Sequence, residues 1–188
     1  MAAEPLITVY TGAPAWHGDP YIKPSKRGRA EHGPGLYFTT HLATARKYAG
    51  GQRTVLQVEL DPSIGWLEDA IVPMERLIQW VETRPRLRKK AEIVGDLVER
   101  GGRGLSPGLA RPVTLVNLMV NYDVLSGDQG PALAAFLTEL GIHASHVRMS
   151  GTEEWVVLFD PAKIRNWRRI GPDALWELAP VRSSTRSA

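Results

Sequence analysis

The sequence contains no cysteine among its 188 residues. Disulfides, thiolate nucleophiles and cysteine-rich zinc sites are therefore excluded, because each of them requires a thiol. A continuous apolar run of about 18 residues, the length that a membrane helix needs, is also missing. The N-terminus "MAAEPLITVY" lacks the basic segment and apolar stretch of a signal peptide. We therefore expect a cytoplasmic protein whose chemistry uses groups other than thiols.

An excess of charge of one sign is also lacking. The 23 Lys and Arg residues against 20 Asp and Glu residues leave a net charge of +3, which is too small to select nucleic acid as the partner. With 43% hydrophobic and 23% charged residues, the composition is that of an ordinary globular protein. The length predicts a single domain, which we place at residues 1–177. Residues 178–188 have little apolar content and are predicted to be a flexible tail.

Strand patterns occur at both ends of the chain and helix patterns occupy the middle. Strands are predicted at 6–10, 36–39, 54–60, 142–149, 154–160 and 164–170. The strand at 54–60 alternates apolar and polar residues, which predicts one wet face. A helix is predicted for "THLATARKYA", with Thr39 or Thr40 as its N-cap and Gly50 and Gly51 at its end.

Residues 66–130 are predicted to be a helical insertion. The spacing of apolar residues predicts an amphipathic helix from about residue 73, and a second helix after Pro85. Pro112 is expected in the first turn of a buried helix, and "PALAAFLTELG" predicts another. Because strands and helices do not alternate regularly, we predict an α+β fold with a split antiparallel β-sheet and flanking helices.

Three separated motifs suggest a function. They are "VYTG" at 9–12, "GPGLYFTTHLATARKYA" at 33–49 and "GTEEWVVLFDPAKI" at 151–164. Together, in this order and spacing, they resemble the ADP-ribosyltransferase superfamily, in the branch shared by diphtheria toxin and the poly(ADP-ribose) polymerases. That branch has a first strand ending in Tyr-His-Gly, then a Gly-x-Gly-Ile/Leu-Tyr-Phe strand followed by a helix with a second tyrosine, and a late strand with a glutamate. The insertion has no recognised counterpart there.

The resemblance implies that NAD is the substrate and that two tyrosines hold its nicotinamide. Tyr37 and Tyr48 match those two tyrosines, and Gly12 matches the glycine whose backbone pairs with the carboxamide. A flat cation between two aromatic faces is stabilised by roughly 0.5 to 2 kcal/mol per ring. Gly33 and Gly35 would allow the chain to approach the ligand closely, since neither carries a Cβ.

Three neighbours of these residues are assigned to the same NAD site, namely Tyr10, Phe38 and Thr39. Thr11 occupies the position at which the family usually has histidine, and its hydroxyl can donate to or accept from a ribose oxygen. His17 and His32, in the adjoining loop, are alternatives for the missing imidazole.

Glu154 matches the catalytic glutamate of the family. Loss of nicotinamide from NAD resembles glycoside cleavage, in which a carboxylate stabilises an oxocarbenium-like transition state. Glu153 is the rival for this role, and only one of the two can enter the cleft because neighbours on a strand face opposite ways. We prefer Glu154, because the following "WVVLFDP" aligns it with the family.

The resemblance therefore implies an enzyme that cleaves the nicotinamide–ribose bond of NAD and transfers ADP-ribose to a protein, nucleic-acid or small-molecule acceptor. No metal is implied, and many enzymes of this kind are toxins or bacteriophage proteins. An NAD glycohydrolase, a catalytically silent NAD- or partner-binding module, and a basic nucleic-acid-binding protein remain alternatives. The basic loop residues Lys23, Lys26, Arg27 and Arg29 are candidates for contacts with the NAD diphosphate or with an acidic target.

Overall fold

The computed structural model describes residues 5–12, 19–26, 30–50, 54–149 and 151–171, and within them the fold is α+β. The strands are β1 (Ile7–Thr11), β2 (Leu36–Thr39), β3 (Val55–Leu60), β4 (Val72–Pro73), β5 (Leu109–Ala110), β6 (Ala144–Arg148), β7 (Glu154–Leu158) and β8 (Ile164–Ile170). The helices are α1 (Leu42–Tyr48), α2 (Met74–Thr83), α3 (Lys90–Arg100), α4 (Pro112–Asn121) and α5 (Gln129–Glu139). The predicted tail at 178–188 lies outside the described residues.

Most of the elements expected from the sequence are confirmed, with two corrections and one addition. The wet face predicted for β3 is wrong: Gln57 is 8% exposed and Val55, on the same face, is nearly inaccessible, because α1 packs against that face. The threonine cap of α1 is also wrong, since His41 is the N-cap and no side chain caps the helix. The addition is the small β4–β5 pair within the predicted insertion.

Six of the strands form one antiparallel sheet in the order β6-β7-β2-β1-β3-β8. The central pairing, between β1 and β2, consists of the single facing pair Tyr10 and Thr39. By contrast, five facing pairs join β1 to β3 and four join β2 to β7. The sheet thus consists of two three-stranded halves that meet at one residue pair.

One row of facing residues crosses all six strands and defines the front face of the sheet. In strand order from β8 to β6 it runs Arg168, Gln57, Tyr10, Thr39, Trp155 and Val147. Facing residues in a sheet share one side, and side chains alternate along each strand. Residues one position away from this row, such as Val9, Leu56 and Val156, therefore belong to the back face, where they form one apolar cluster.

Two helical groups pack on the front face. Helix α1 covers one half of the sheet, where Ala45 joins Tyr10, Val55 and Ile170 in an apolar cluster. The helices α2 to α5 share a separate core with two residues at the end of β7, Val157 and Phe159. None of these five helices, which are those of the described residues, is long and apolar enough to cross a membrane.

Gly12 marks the point of closest approach between β1 and α1. A Cβ added there would lie 2.7 Å from the carbonyl carbon of Tyr48, and it would also clash with the backbone of Ala45 and Ala49. Since these contacts are with helix backbone, relief requires α1 to move. Gly12→Ala should therefore lower the free energy of unfolding by about 1–3 kcal/mol, the usual cost of overpacking.

Urea denaturation would measure this loss, with Gly95→Ala as the matched control. Gly95 lies inside α3, and nothing lies within 4 Å of a Cβ added there. The control should raise stability by roughly 0.5–1 kcal/mol, because alanine restricts the unfolded chain and favours helix. Equal effects of the two substitutions would contradict the close approach at Gly12.

Candidate functional site

A cleft of about 560 Å³ opens at the junction of β1 and β2. Its volume falls within the range of roughly 300–1,000 Å³ that is usual for small-molecule sites. The lining residues are Tyr10, Thr11, Gly12, Glu31, Tyr37, Phe38, Thr39, Thr44, Ala45, Tyr48 and Trp155. All of the site residues predicted from the sequence are among them except Gly35 and Glu154. Segments remote in the chain, at 10–12, 37–48 and 155, thus meet at one cavity.

Of the two adjacent glutamates, Glu153 holds its carboxylate against residues that line the cleft, and Glu31 also lines it. The Oε1 atom of Glu153 accepts hydrogen bonds from the Thr39 hydroxyl and from the Trp155 indole N–H, each at 3.0 Å. Both donors line the cleft. The carboxylate of Glu154 instead lies 3.9 Å from Nη2 of Arg148. The placement of Glu154 in the cleft, which the sequence favoured, is therefore corrected in favour of Glu153.

Strand alternation explains this correction. Trp155 belongs to the front-face row, so Glu153, two residues earlier, lies on the same side of the chain. Glu154 faces Arg148 on β6 and shares its side with Val156 of the back-face cluster. The sequence motif locates the pair of glutamates, but it does not determine which of the two lies on the front face of the sheet.

Glu153 is held as an anion. Burial alone would raise the pKa of its carboxyl group, but hydrogen bonds from Trp155, Thr44 and Thr39 lower that pKa below its usual value on balance. Hydrogen bonds to the charged form of a carboxyl group have this effect because they stabilise the carboxylate. At neutral pH the cleft therefore presents a fixed negative charge beside its aromatic rings.

Trp155 is a cleft residue that the sequence motifs did not indicate. Its ring makes edge-to-face contacts with His32 and Tyr48, at centroid distances of 5.6 and 5.9 Å. Its position two residues after Glu153 is the signal in the sequence that could have placed it. His32 is therefore beside the cleft, while His17 lies outside the described residues.

The two predicted tyrosines line the same cleft in different ways. The Tyr37 hydroxyl donates to the Gly33 carbonyl at 2.7 Å and accepts from the His32 N–H at 3.2 Å. Burial raises the pKa of Tyr37, so its phenol stays neutral. The Tyr48 side of the cleft is open, since that residue is 66% exposed. Tyr37 thus provides a fixed wall and Tyr48 an accessible one.

Gly35 has a packing role rather than a place in the cleft lining. A Cβ at Gly35 would lie 2.6 Å from the Leu158 carbonyl oxygen, so the residue allows β2 to approach β7. Its neighbour Gly33 has a φ of 104°, a conformation that favours glycine. Gly35 is not among the residues that line the cleft, and its contact with a ligand stays a prediction.

Thr11 is buried at the rim of the cleft, with 8% of its surface exposed. Its facing residue on β3 is Leu56, a member of the back-face cluster. Strand alternation therefore assigns Thr11 to the side of the sheet opposite Tyr10. The position that carries histidine in the resembled family is here a small, buried residue.

No protein-family model, curated protein or solved structure matches this chain. Membership of the ADP-ribosyltransferase superfamily consequently stays a prediction, which rests on the three sequence motifs and on the residues gathered at the cleft.

Proposed function

We propose that the protein is an NAD-dependent ADP-ribosyltransferase whose nicotinamide site is the cleft between β1 and β2. One observation carries the proposal: the Glu153 carboxylate is fixed by Thr39 and Trp155 beside a cavity lined by the rings of Tyr37 and Tyr48. A flat aromatic cation such as nicotinamide is favoured by these rings, and the positive charge that develops on its ribose is favoured by the carboxylate.

The proposed reaction breaks the bond between the nicotinamide nitrogen and C1′ of the ribose. The bonding electron pair leaves with nicotinamide, which becomes neutral, and the ribose becomes oxocarbenium-like. Glu153 stabilises that charge, and its lowered pKa keeps it ionised for this role. A nucleophile of the acceptor then forms the new bond at C1′ and loses its proton to solvent. Tyr37 and Tyr48 orient the nicotinamide ring.

The position of Thr11 favours a second candidate, a binding module that retains the fold without the chemistry. Thr11 lines the cleft, but its hydroxyl cannot make every contact that the histidine of the resembled family makes. Such a protein would bind NAD in the cleft but would not cleave it. A glycohydrolase, in which water replaces the acceptor, would use the same cleft. The exposure of Tyr48 favours this candidate, because that side of the cleft is open to water.

Incubation of the purified protein with NAD labelled in its ADP-ribose part, with and without a cell lysate, tests the proposal. Nicotinamide release together with label transfer to lysate components is the expected result. Release of free ADP-ribose without transfer would indicate the glycohydrolase. Binding of NAD by calorimetry without turnover would indicate the module, and neither binding nor turnover would refute all three. Salt-dependent retention on DNA or RNA, with indifference to NAD, would indicate the nucleic-acid-binding alternative.

A further inference from the structure

Arg168 is a cation that the fold positions without neutralising it. Its Nε and Nη2 atoms both donate to Oε1 of Gln57, at 3.2 and 3.0 Å. Four other arginines of the described residues have carboxylate partners, namely Arg100, Arg103, Arg148 and Arg165, whereas Arg84 and Arg88 donate to neutral groups as Arg168 does. Within the described residues the partner of Arg168 is a neutral, buried amide, so no carboxylate there offsets its charge and further N–H groups remain for an anion.

Tyr10 provides a second donor in the same row. The residue is 5% exposed and lines the cleft, yet within the described part of the chain its hydroxyl has no hydrogen-bond partner. Burial raises the pKa of this phenol, and the charge of Arg168 opposes that rise, which shows that the two groups lie within electrostatic reach. No buried polar side-chain atom of the described residues lacks a partner, so the Tyr10 hydroxyl is accessible from the cleft, and an anion could accept hydrogen bonds from it and from the guanidinium.

We infer that Arg168 and Tyr10 form a diphosphate subsite, which holds the pyrophosphate of NAD while its nicotinamide occupies the cleft. Tyr10 faces Gln57 on one side and Thr39 on the other, so the subsite and the nicotinamide rings lie on one continuous face. Gln57 lies on β3, the strand next to that of Tyr10, and adjacent strands are about 4.8 Å apart. The Arg168 guanidinium, which donates to Gln57, therefore lies about one strand spacing from Tyr10. Arginine binds phosphate oxygens through paired N–H groups, which a point charge does not offer.

This inference rests on the proposed function for the identity of the ligand, but the subsite itself can be tested with ADP alone. Titration calorimetry on the full chain at low salt should show ADP binding in the wild type. Arg168→Gln should weaken it by roughly tenfold to a hundredfold, the range for hydrogen bonds to charged groups. Tyr10→Phe should weaken it by about threefold to tenfold, as expected for one neutral hydrogen bond. Nicotinamide binding should not change with Arg168→Gln.

Arg169→Gln is the matched control. Arg169 is the next residue on β8, carries the same charge and faces Leu56 of the back-face cluster, so ADP affinity should stay at the wild-type value. Thermal unfolding would verify that each variant is folded, and Tyr10→Phe tests the subsite independently if Arg168→Gln does not fold.

Three results would overturn the subsite: no ADP binding in the wild type, unchanged affinity in folded Arg168→Gln, or equal losses in Arg168→Gln and Arg169→Gln. The last result would mean that net charge alone attracts the nucleotide. Binding of ADP that depends on Arg168, in a protein that does not cleave NAD, would support the subsite and count against the proposed transferase activity. The two hypotheses therefore fail in different experiments.

Discussion

Glu153→Gln should lower the rate of nicotinamide release from NAD by about 10²- to 10³-fold, the usual size of one electrostatic contribution to a charged transition state. The amide keeps nearly the same shape but carries no charge, so the loss should appear in kcat more than in KM. The neighbouring Glu154→Gln should leave the rate within about twofold, since its carboxylate lies beside Arg148. Steady-state kinetics of the two variants measures the difference.

The pH profile provides an independent check of the same assignment. The ionised form of Glu153 is the active one, and its pKa is lowered. Activity should therefore persist as the pH falls to the ordinary glutamate value of about 4.3 and decline only below it. A large loss in Glu154→Gln with little effect of Glu153→Gln would reverse the assignment of the carboxylate.

Phe159→Ala should lower the free energy of unfolding by about 3–5 kcal/mol, the usual cost of removing a buried aromatic ring. Phe159 is 2% exposed, directly follows β7 and belongs to the core of the helices α2 to α5. Its loss should weaken sheet and helices together, because the ring is in the core that joins them. Urea unfolding followed by tryptophan fluorescence and by helical circular dichroism should give one shared transition.

Val98→Ala is the control for this substitution. Val98 lies on α3 with 58% of its surface exposed, and its truncation should change stability by less than about 0.5 kcal/mol. Separate transitions for the two signals, or a small effect of Phe159→Ala, would contradict a shared core. They would also contradict the single domain that the sequence predicts for residues 1–177.

The sequence predicted those features of the fold that depend on local pattern. The apolar spacing in α2 and the proline at the start of α4 gave the right elements, because each signal lies within a single helix. The burial of Gln57 could not be predicted this way. The alternation within β3 is that of a half-exposed strand, but neighbours distant in the chain and α1 cover both of its faces.

In the candidate site, too, residues close together in the sequence could be placed, whereas the pairing of distant strands could not be predicted. The motif around Tyr37 and Tyr48 placed both residues at the cleft, because a strand and the helix that follows it are local. The choice between Glu153 and Glu154 depends on which residue of β7 faces Thr39, and that register is set by pairing across more than a hundred residues of chain. A shift of one residue moves every side chain to the other face.

The single Tyr10–Thr39 pair at the centre of the sheet has a thermodynamic consequence for any molecule bound in the cleft. The strands within each half of the sheet are joined by several backbone pairings. Between the two halves, backbone pairing is limited to Tyr10 and Thr39. A ligand that touches Tyr10 on one side and Trp155 on the other would act as a bridge between the halves. Its binding energy would then oppose their separation, and resistance to unfolding would grow with the logarithm of ligand concentration.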